Sequence, residues 1–382
     1  MSFRASGRGA IAPFIVMEMV AAAAARARAG GDVLHLEVGQ PSTPAPQGVL
    51  AAARRALDTE RLGYTEALGL PDLRDAIAGH YERTYGARVP IERIIVTPGA
   101  SGAFQLAFLA AFDAGDRVAL ASPGYPAYRN ILQALDLEVV EIETGPETRY
   151  QPTPAHLDAL DRPVSGLIVA SPANPTGTML DAGAMDTLAA YCEGAGIRLI
   201  SDELYHGITY GEPAVTALDR APHGFVVNGF SKYFSMTGWR LGWMIVPEDL
   251  ARPVECLAQN LFISAATLSQ HAAIAAFDCH EELQANLARY AANRAHLLSA
   301  LPKAGFDRLA PADGAFYIYA EIPHLTNDSV AFCKRMLDET GVAATPGLDF
   351  DSRRGHATIR FSFAGATEDM EAATERLARW LA

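Results

Sequence analysis

A lysine flanked by aromatic residues, in Ser231-Lys232-Tyr233-Phe234, follows the apolar run 224–227. A lysine in such a place is partly desolvated, which lowers its proton affinity and makes it a competent amine nucleophile, whereas most lysines are solvated surface charges. Upstream, Ser201-Asp202-Glu203-Leu204-Tyr205 follows the apolar run 198–200. A carboxylate at the end of a central strand is costly to bury unless it meets a cation, so Asp202 calls for a partner. Capping a helix is the plainer explanation that most such aspartates have. Three further clusters follow apolar runs. Thr97-Pro98-Gly99-Ala100-Ser101-Gly102-Ala103 leads into a helix expected over 104–111, where small residues, backbone N–H groups and the Ser101 hydroxyl suit an anion such as phosphate. It matches neither a Walker A motif nor the dinucleotide glycine fingerprint, and tight turns use the same residues. Ser122-Pro123-Gly124-Tyr125-Pro126-Ala127-Tyr128 fixes an aromatic face between prolines that could stack on a planar heterocycle, or simply pack in a turn. Ser171-Pro172-Ala173-Asn174-Pro175-Thr176-Gly177 holds an amide between prolines, where Asn-Pro also forms ordinary turns.

The elements that must position these residues repeat one theme. A first helix ending at Gly30-Gly31 is followed by a short strand over 33–38 that stops at Gly39-Gln40-Pro41. Apolar runs at 94–96, 118–120, 166–170, 198–200 and 224–227 then alternate with helical segments. That pattern predicts βαβ crossovers and a mainly parallel sheet with helices on both faces, an α/β fold with ligands beyond the carboxyl ends of the strands. After about residue 284 the theme changes: a long helix through Ala300, the run 314–319, a helix over 329–340, a strand over 358–363 and a closing helix over 367–381. This reads as a smaller α+β unit completed by the N-terminal segment. Two domains suit the 382 residues, and no repeat or low-complexity linker separates them.

Composition narrows the partners. With 31 Lys+Arg against 44 Asp+Glu the net charge is −13, so the overall field repels a phosphate backbone and nucleic acid is not expected. Any anionic ligand must be held by a local cluster of donors. Cys192, Cys256, Cys279 and Cys333 lack metal-site spacing and read as reduced thiols, which suits the cytoplasm. Arg4, Arg8 and the apolar run 10–25 imitate a secretory leader, but Glu18 interrupts the run, and no stretch predicts a membrane span.

Together the clusters carry a resemblance. Asn174 lies 28 residues before Asp202, an Asp-x-x-Tyr element spans 202–205, and a Lys-x7-Arg element spans 232–240. In this order and spacing, from about Gly39 to Arg360, the sequence resembles the class I and II aminotransferases, the fold-type I pyridoxal-phosphate enzymes. The resemblance implies a large domain (46–285) with a mainly parallel seven-stranded sheet flanked by helices. A smaller α+β domain would be formed by both termini (1–45 and 286–382). It implies that Lys232 carries the Schiff base to pyridoxal 5'-phosphate, Asp202 pairs with the pyridine nitrogen, and Tyr205 and Asn174 bond the phenolic oxygen. Tyr125 would stack on the ring. Ala100, Ser101 and Arg240 would hold the phosphate, with Tyr64 reaching in from the other subunit of a homodimer. Arg360 would receive the substrate α-carboxylate with its planar guanidinium, and the Gly39 backbone would line the substrate site. The activity implied is transamination between an α-amino acid and a 2-oxo acid.

Two positions depart from the family pattern. Gly229 stands where many relatives carry a phosphate-binding serine, so the phosphate site is either weaker or uses another donor. Ser101 stands where some aspartate-specific members carry a lysine, which favours a neutral or aromatic amino donor over a dicarboxylic one. Fold and cofactor do not fix which bond breaks, so a carbon–sulfur β-lyase is the alternative chemistry. A cofactor-binding regulatory module would need a basic extension before Gly39, where only four arginines occur.

Overall fold

The computed structural model describes residue 3 and residues 5–382; Arg4, part of the leader-like pattern, lies outside them. The apolar runs form a seven-stranded sheet. Its spatial order is Ile94–Thr97, Gly242–Ile245, Phe225–Gly229, Arg198–Asp202, Gly166–Ala170, Arg117–Ser122 and Glu138–Glu143. Gly242–Ile245 runs antiparallel to both neighbours, and the other pairings are parallel. The central strands are buried on both faces, which is why they read as near-continuous apolar runs without alternation. Thr97, Ser122, Ala170, Asp202 and Gly229 end their strands along one edge of this sheet. The five clusters singled out above therefore open onto the same side.

A second, antiparallel sheet has the order Thr345–Pro346, Thr358–Ser362, Tyr317–Glu321, Arg308–Leu309. The N-terminal strand is only Leu34–His35, shorter than expected, and pairs in parallel with Val342–Ala343. Met19, Ala23 and Leu36 share one buried cluster with Ile318, Phe361 and Leu377, so the two ends of the chain pack together. The long helix is His280–Ala300, and the boundary expected at 285 falls within its first turns.

The first helix, Ile15–Arg28, buries Val16, Met19 and Ala23, so its apolar character serves packing. Phe14 supplies no side-chain cap. Instead the Asp349 carboxylate accepts from the backbone N–H groups of Ile15 and Val16 at 3.0 Å each, satisfying two orphan donors from a distant part of the chain. Among the described residues, no helix is long and apolar enough to cross a membrane.

One boundary differs instructively from expectation. The helix after Thr97 begins at Gly99, not at 104, and runs to Ala111. Its small residues let it sit close on the sheet: a Cβ at Gly242 would lie 2.8 Å from the Ala100 nitrogen. The glycine-rich stretch is thus the helix N-terminus itself, with Ala100 and Ser101 in its first turn.

Candidate active site

A cavity of 510 Å³ opens along this edge, lined by Lys232, Asp202, Tyr205, Asn174, Tyr125, Ala100, Ser101, Arg240, Arg360 and Gly39. Of the expected site residues only Tyr64 is absent; it is 83% exposed and faces outward from its own chain.

Lys232 enters half-buried from the loop after Phe225–Gly229, and its Nζ donates to the Gly39 carbonyl at 2.6 Å. Burial, helped by the charges of Arg360 and Arg240 and opposed by Asp202, lowers its pKa to about 8. Gly39 is required where it stands, because a Cβ there would run into the Tyr317 hydroxyl.

Asp202 is the buried last residue of its strand, not a helix cap. Its Oδ1 accepts the Leu204 N–H at 2.9 Å and its Oδ2 accepts the Tyr128 hydroxyl. Burial raises its pKa to about 6. Two neutral donors hold this carboxylate and no side-chain cation bonds it, which leaves it suited to a cationic N–H arriving in the cavity.

Asn174 is buried and its Oδ1 accepts from Arg360 Nη1 at 2.8 Å, leaving the amide hydrogens for another acceptor. The Tyr205 hydroxyl pairs with that of Tyr317 at 2.6 Å. Arg360, 3% exposed on the strand Thr358–Ser362, lies 4.3 Å from the Tyr317 ring centroid and 4.7 Å from that of Phe350. Its Nη2 donates to the Glu37 carbonyl at 2.7 Å, while its buried Nε has no partner. A buried guanidinium with an idle N–H lining a cavity is prepared for an anion.

At the other end, the first N–H groups of the helix Gly99–Ala111 face Arg240, whose Nη2 would lie 2.6 Å from a Cβ at Gly99. Gly99 has φ +71°, a conformation that glycine adopts without strain. Gly229 packs closely: a Cβ there would lie 3.1 Å from the Gly242 Cα, so a serine would require the neighbouring strand to give by a few tenths of an ångström. Ser231 and Thr237 line the cavity instead.

Sequence reasoning missed several lining residues. Tyr128 follows Tyr125 by one helical turn at the start of Pro126–Ala134, so the i, i+3 spacing could have put both on one face. Tyr317 lay inside the run 314–319, to which no chemistry was assigned. Phe14, Val16 and Met17, which form an apolar wall, carried no chemical signal.

An acid for a ring nitrogen, an amide and a phenol for a ring oxygen, a helix N-terminus with an arginine for phosphate, and a desolvated amine fit one cofactor, pyridoxal phosphate. Comparison with known proteins agrees. The model of the family "Aminotransferase class I and II" matches residues 31–377. The chain belongs to the class I and II aminotransferases. It is an aminotransferase with the α/β fold of the fold-type I enzymes, and it uses pyridoxal phosphate. A valine–pyruvate aminotransferase of Mycobacterium tuberculosis is 52% identical, the match covering 100% of this chain and 99% of that protein. An aspartate/prephenate aminotransferase of Thermus thermophilus is 34% identical over 93% of this chain and 92% of its own. Among solved structures, an aminotransferase from Mycobacterium tuberculosis superposes with a TM-score of 0.98 at 52% identity, covering 100% and 99% of the two chains. The aspartate aminotransferase of Thermus thermophilus with maleate gives 0.92 at 32% identity, covering 99% and 100%.

Proposed function

We propose that this aminotransferase moves the amino group of a neutral or aromatic α-amino acid to a 2-oxo acid, with Lys232 as the amine that bonds the cofactor aldehyde. The observation that carries the donor class is the inventory of cations. Among the described residues of this chain, the cavity lining contains Lys232, Arg240 and Arg360 and no other Lys or Arg. Arg240 lies at the phosphate end and Arg360 is prepared for the α-carboxylate. A second substrate carboxylate set against Phe14, Val16 and Met17 would meet no cation from the described lining of its own chain, at a cost of several kcal/mol. The name of the valine–pyruvate relative is consistent with this reading.

Pyridoxal phosphate, when bound, supplies the electron sink for the carbanion at the substrate Cα. The chain's own residues do the rest. Arg360 would orient the substrate through its carboxylate, Asp202 would keep the ring nitrogen protonated, and Asn174 and Tyr205 would bond the ring oxygen. Tyr125 would lie against the ring, while Ala100, Ser101 and Arg240 would hold the phosphate. The Lys232 amine would serve as the general base for the Cα proton.

The division into a large unit (46–285) and a small unit built from 1–45 and 286–382 is part of the proposal, supported by the pairing of Leu34–His35 with Val342–Ala343. A homodimer in which Tyr64 completes the neighbouring site accounts for an exposed tyrosine that its own chain does not use. A cytoplasmic enzyme is proposed on the four unbonded cysteines.

A spectral half-reaction screen of the purified holoenzyme tests the donor class. Neutral and aromatic amino acids should convert the cofactor stoichiometrically to its amine form and halt. Fastest conversion by aspartate or glutamate would overturn the donor assignment, and continuous release of pyruvate and ammonia would replace transamination by lyase chemistry.

A further inference from the structure

Behind the cofactor cavity lies a buried acid that the reaction does not use. Glu203 follows Asp202 and is fully buried. Its Oε1 accepts from the Ala217 N–H at 2.8 Å, the Thr216 hydroxyl at 3.0 Å and the Ser201 hydroxyl at 3.2 Å. Its Oε2 has no hydrogen-bond partner and lies 3.5 Å from Nδ1 of the buried His206.

The histidine's own bonds fix which of its nitrogens carries the proton. Nε2 lies 3.0 Å from the Ser171 carbonyl, which can only accept, so Nε2 is the N–H. Burial disfavours the imidazolium form of His206, and on the neutral ring Nδ1 is a lone pair to which the Tyr85 hydroxyl at 2.7 Å donates. An ionised Oε2 would face that lone pair with no donor. A protonated Oε2 avoids setting a charge against that lone pair and can turn its O–H toward Nδ1, 3.5 Å away, in competition with the Tyr85 hydroxyl.

We propose that Glu203 is held as a neutral carboxylic acid against a neutral His206, and that this pair positions the loop carrying Asn174 relative to the strand end carrying Asp202. The link is Ser171, three residues before Asn174. Its carbonyl is held by His206, and its N–H donates to the Asp202 carbonyl at 3.2 Å. The His206 backbone N–H in turn donates to the Glu203 backbone carbonyl at 2.9 Å, closing the turn that presents Tyr205. Three residues proposed to touch the cofactor ring are thus tied through one buried, uncharged unit.

Other groups facing the pair favour the neutral pairing. Asp202 is its one charged neighbour on the strand; Tyr81, Tyr85 and His80 face it from the helix Pro71–Tyr85. Burial holds His80 at about 4 and His206 at about 3, and burial with Asp202 pushes Glu203 up to about 8. A neutral pair avoids burying two more charges beside the one that the ring nitrogen needs.

Only the positioning role rests on the functions proposed for Asn174 and Asp202; the protonation state does not. Infrared difference spectra of the cofactor-free protein, parent minus Glu203→Gln at neutral pH, should show a lost protonated-carboxyl stretch. A lost carboxylate band would overturn the assignment whatever the enzyme's substrate. In the holoenzyme, Glu203→Gln supplies an amide that can keep Oε1 as acceptor and donate to Nδ1, so kcat/KM should stay within about threefold of the parent. Glu203→Ala should lose roughly tenfold or more. If Gln fell as far as Ala, an ionised Glu203 would be indicated and the proposal would fail. His206→Phe should shift the pH midpoint of the bound cofactor's absorbance, while Glu203→Gln leaves it in place. An unmoved midpoint in His206→Phe would remove the positioning role.

Discussion

Replacing Arg360 by alanine separates a residue that reads what all amino acids share from one that reads side chains. On the proposed assignment Arg360 gives the substrate α-carboxylate two parallel charge-assisted hydrogen bonds. Each contributes ~1.5–3 kcal/mol, so deleting both removes roughly 3–6 kcal/mol of binding. Water entering the emptied space recovers part of this, and a loss near the lower bound corresponds to about 100-fold in kcat/KM. The structure sharpens the expectation, because Arg360 also holds the Asn174 amide at 2.8 Å and the Glu37 carbonyl at 2.7 Å. Arg360→Lys keeps the charge without the planar fork and should fall between parent and alanine variant. The assay is the single-turnover half-reaction with valine, alanine and phenylalanine, followed by cofactor absorbance. The same factor should appear for all three donors, mostly in KM. A loss confined to one donor would refute the reasoning, because it would make Arg360 a side-chain reader.

Lys232→Ala should abolish both the absorbance of the lysine-bound cofactor and turnover; retained turnover would remove the central assignment. Asp202→Ala should slow Cα proton abstraction, measured with α-deuterated donor, far more than it weakens cofactor binding, and an unchanged rate would count against pairing with the ring nitrogen. Tyr128→Phe deletes one of the two donors on that carboxylate and should lower kcat by roughly tenfold with little change in KM, consistent with ~1.5 kcal/mol for a bond to a charged group. For pH, the neutral amine is the reactive form, so cofactor uptake by the apoenzyme should quicken about tenfold per unit below the lysine's pKa and level off above about 8. A rise continuing toward 10.5, the ordinary lysine value, would mean that burial does not perturb Lys232.

What could be read from the sequence was the chemistry that sits at strand ends. Asp202 stood out as a charge close behind an apolar run and Lys232 as a lysine among aromatics beyond another, and the sheet brings such strand ends to one edge. Arg360 stood out only through resemblance; on its own it was indistinguishable from an exposed strand charge, and its burial between Tyr317 and Phe350 is a property of packing. The apolar wall of Phe14, Val16 and Met17 was illegible for the opposite reason. Apolar residues at the start of a helix predict core, and the placement of this helix beside the cavity depends on partners distant in sequence, among them the Asp349 carboxylate more than 300 residues away. The helix start at Gly99 was misjudged because small residues were weighed as turn formers, when close approach to Gly242 was their use.

The two arginines that would hold anions also set the base. The chain carries a net charge of −13, so the cavity has to gather its own positive potential from Arg240, Arg360 and a helix N-terminus. That potential is what adds to burial in lowering the proton affinity of Lys232. An empty site therefore favours the free amine, the form that bonds an aldehyde. On the proposed assignment, a phosphate on Arg240 and a carboxylate on Arg360 would offset the arginines and raise the proton affinity of the Lys232 amine, as its role as the Cα base requires. The coupling has a definite sign. In cofactor-free Arg360→Ala one repelling charge is gone, so the pH midpoint for uptake of the cofactor should move upward from about 8, and a midpoint that stays in place would mean that desolvation alone sets the lysine.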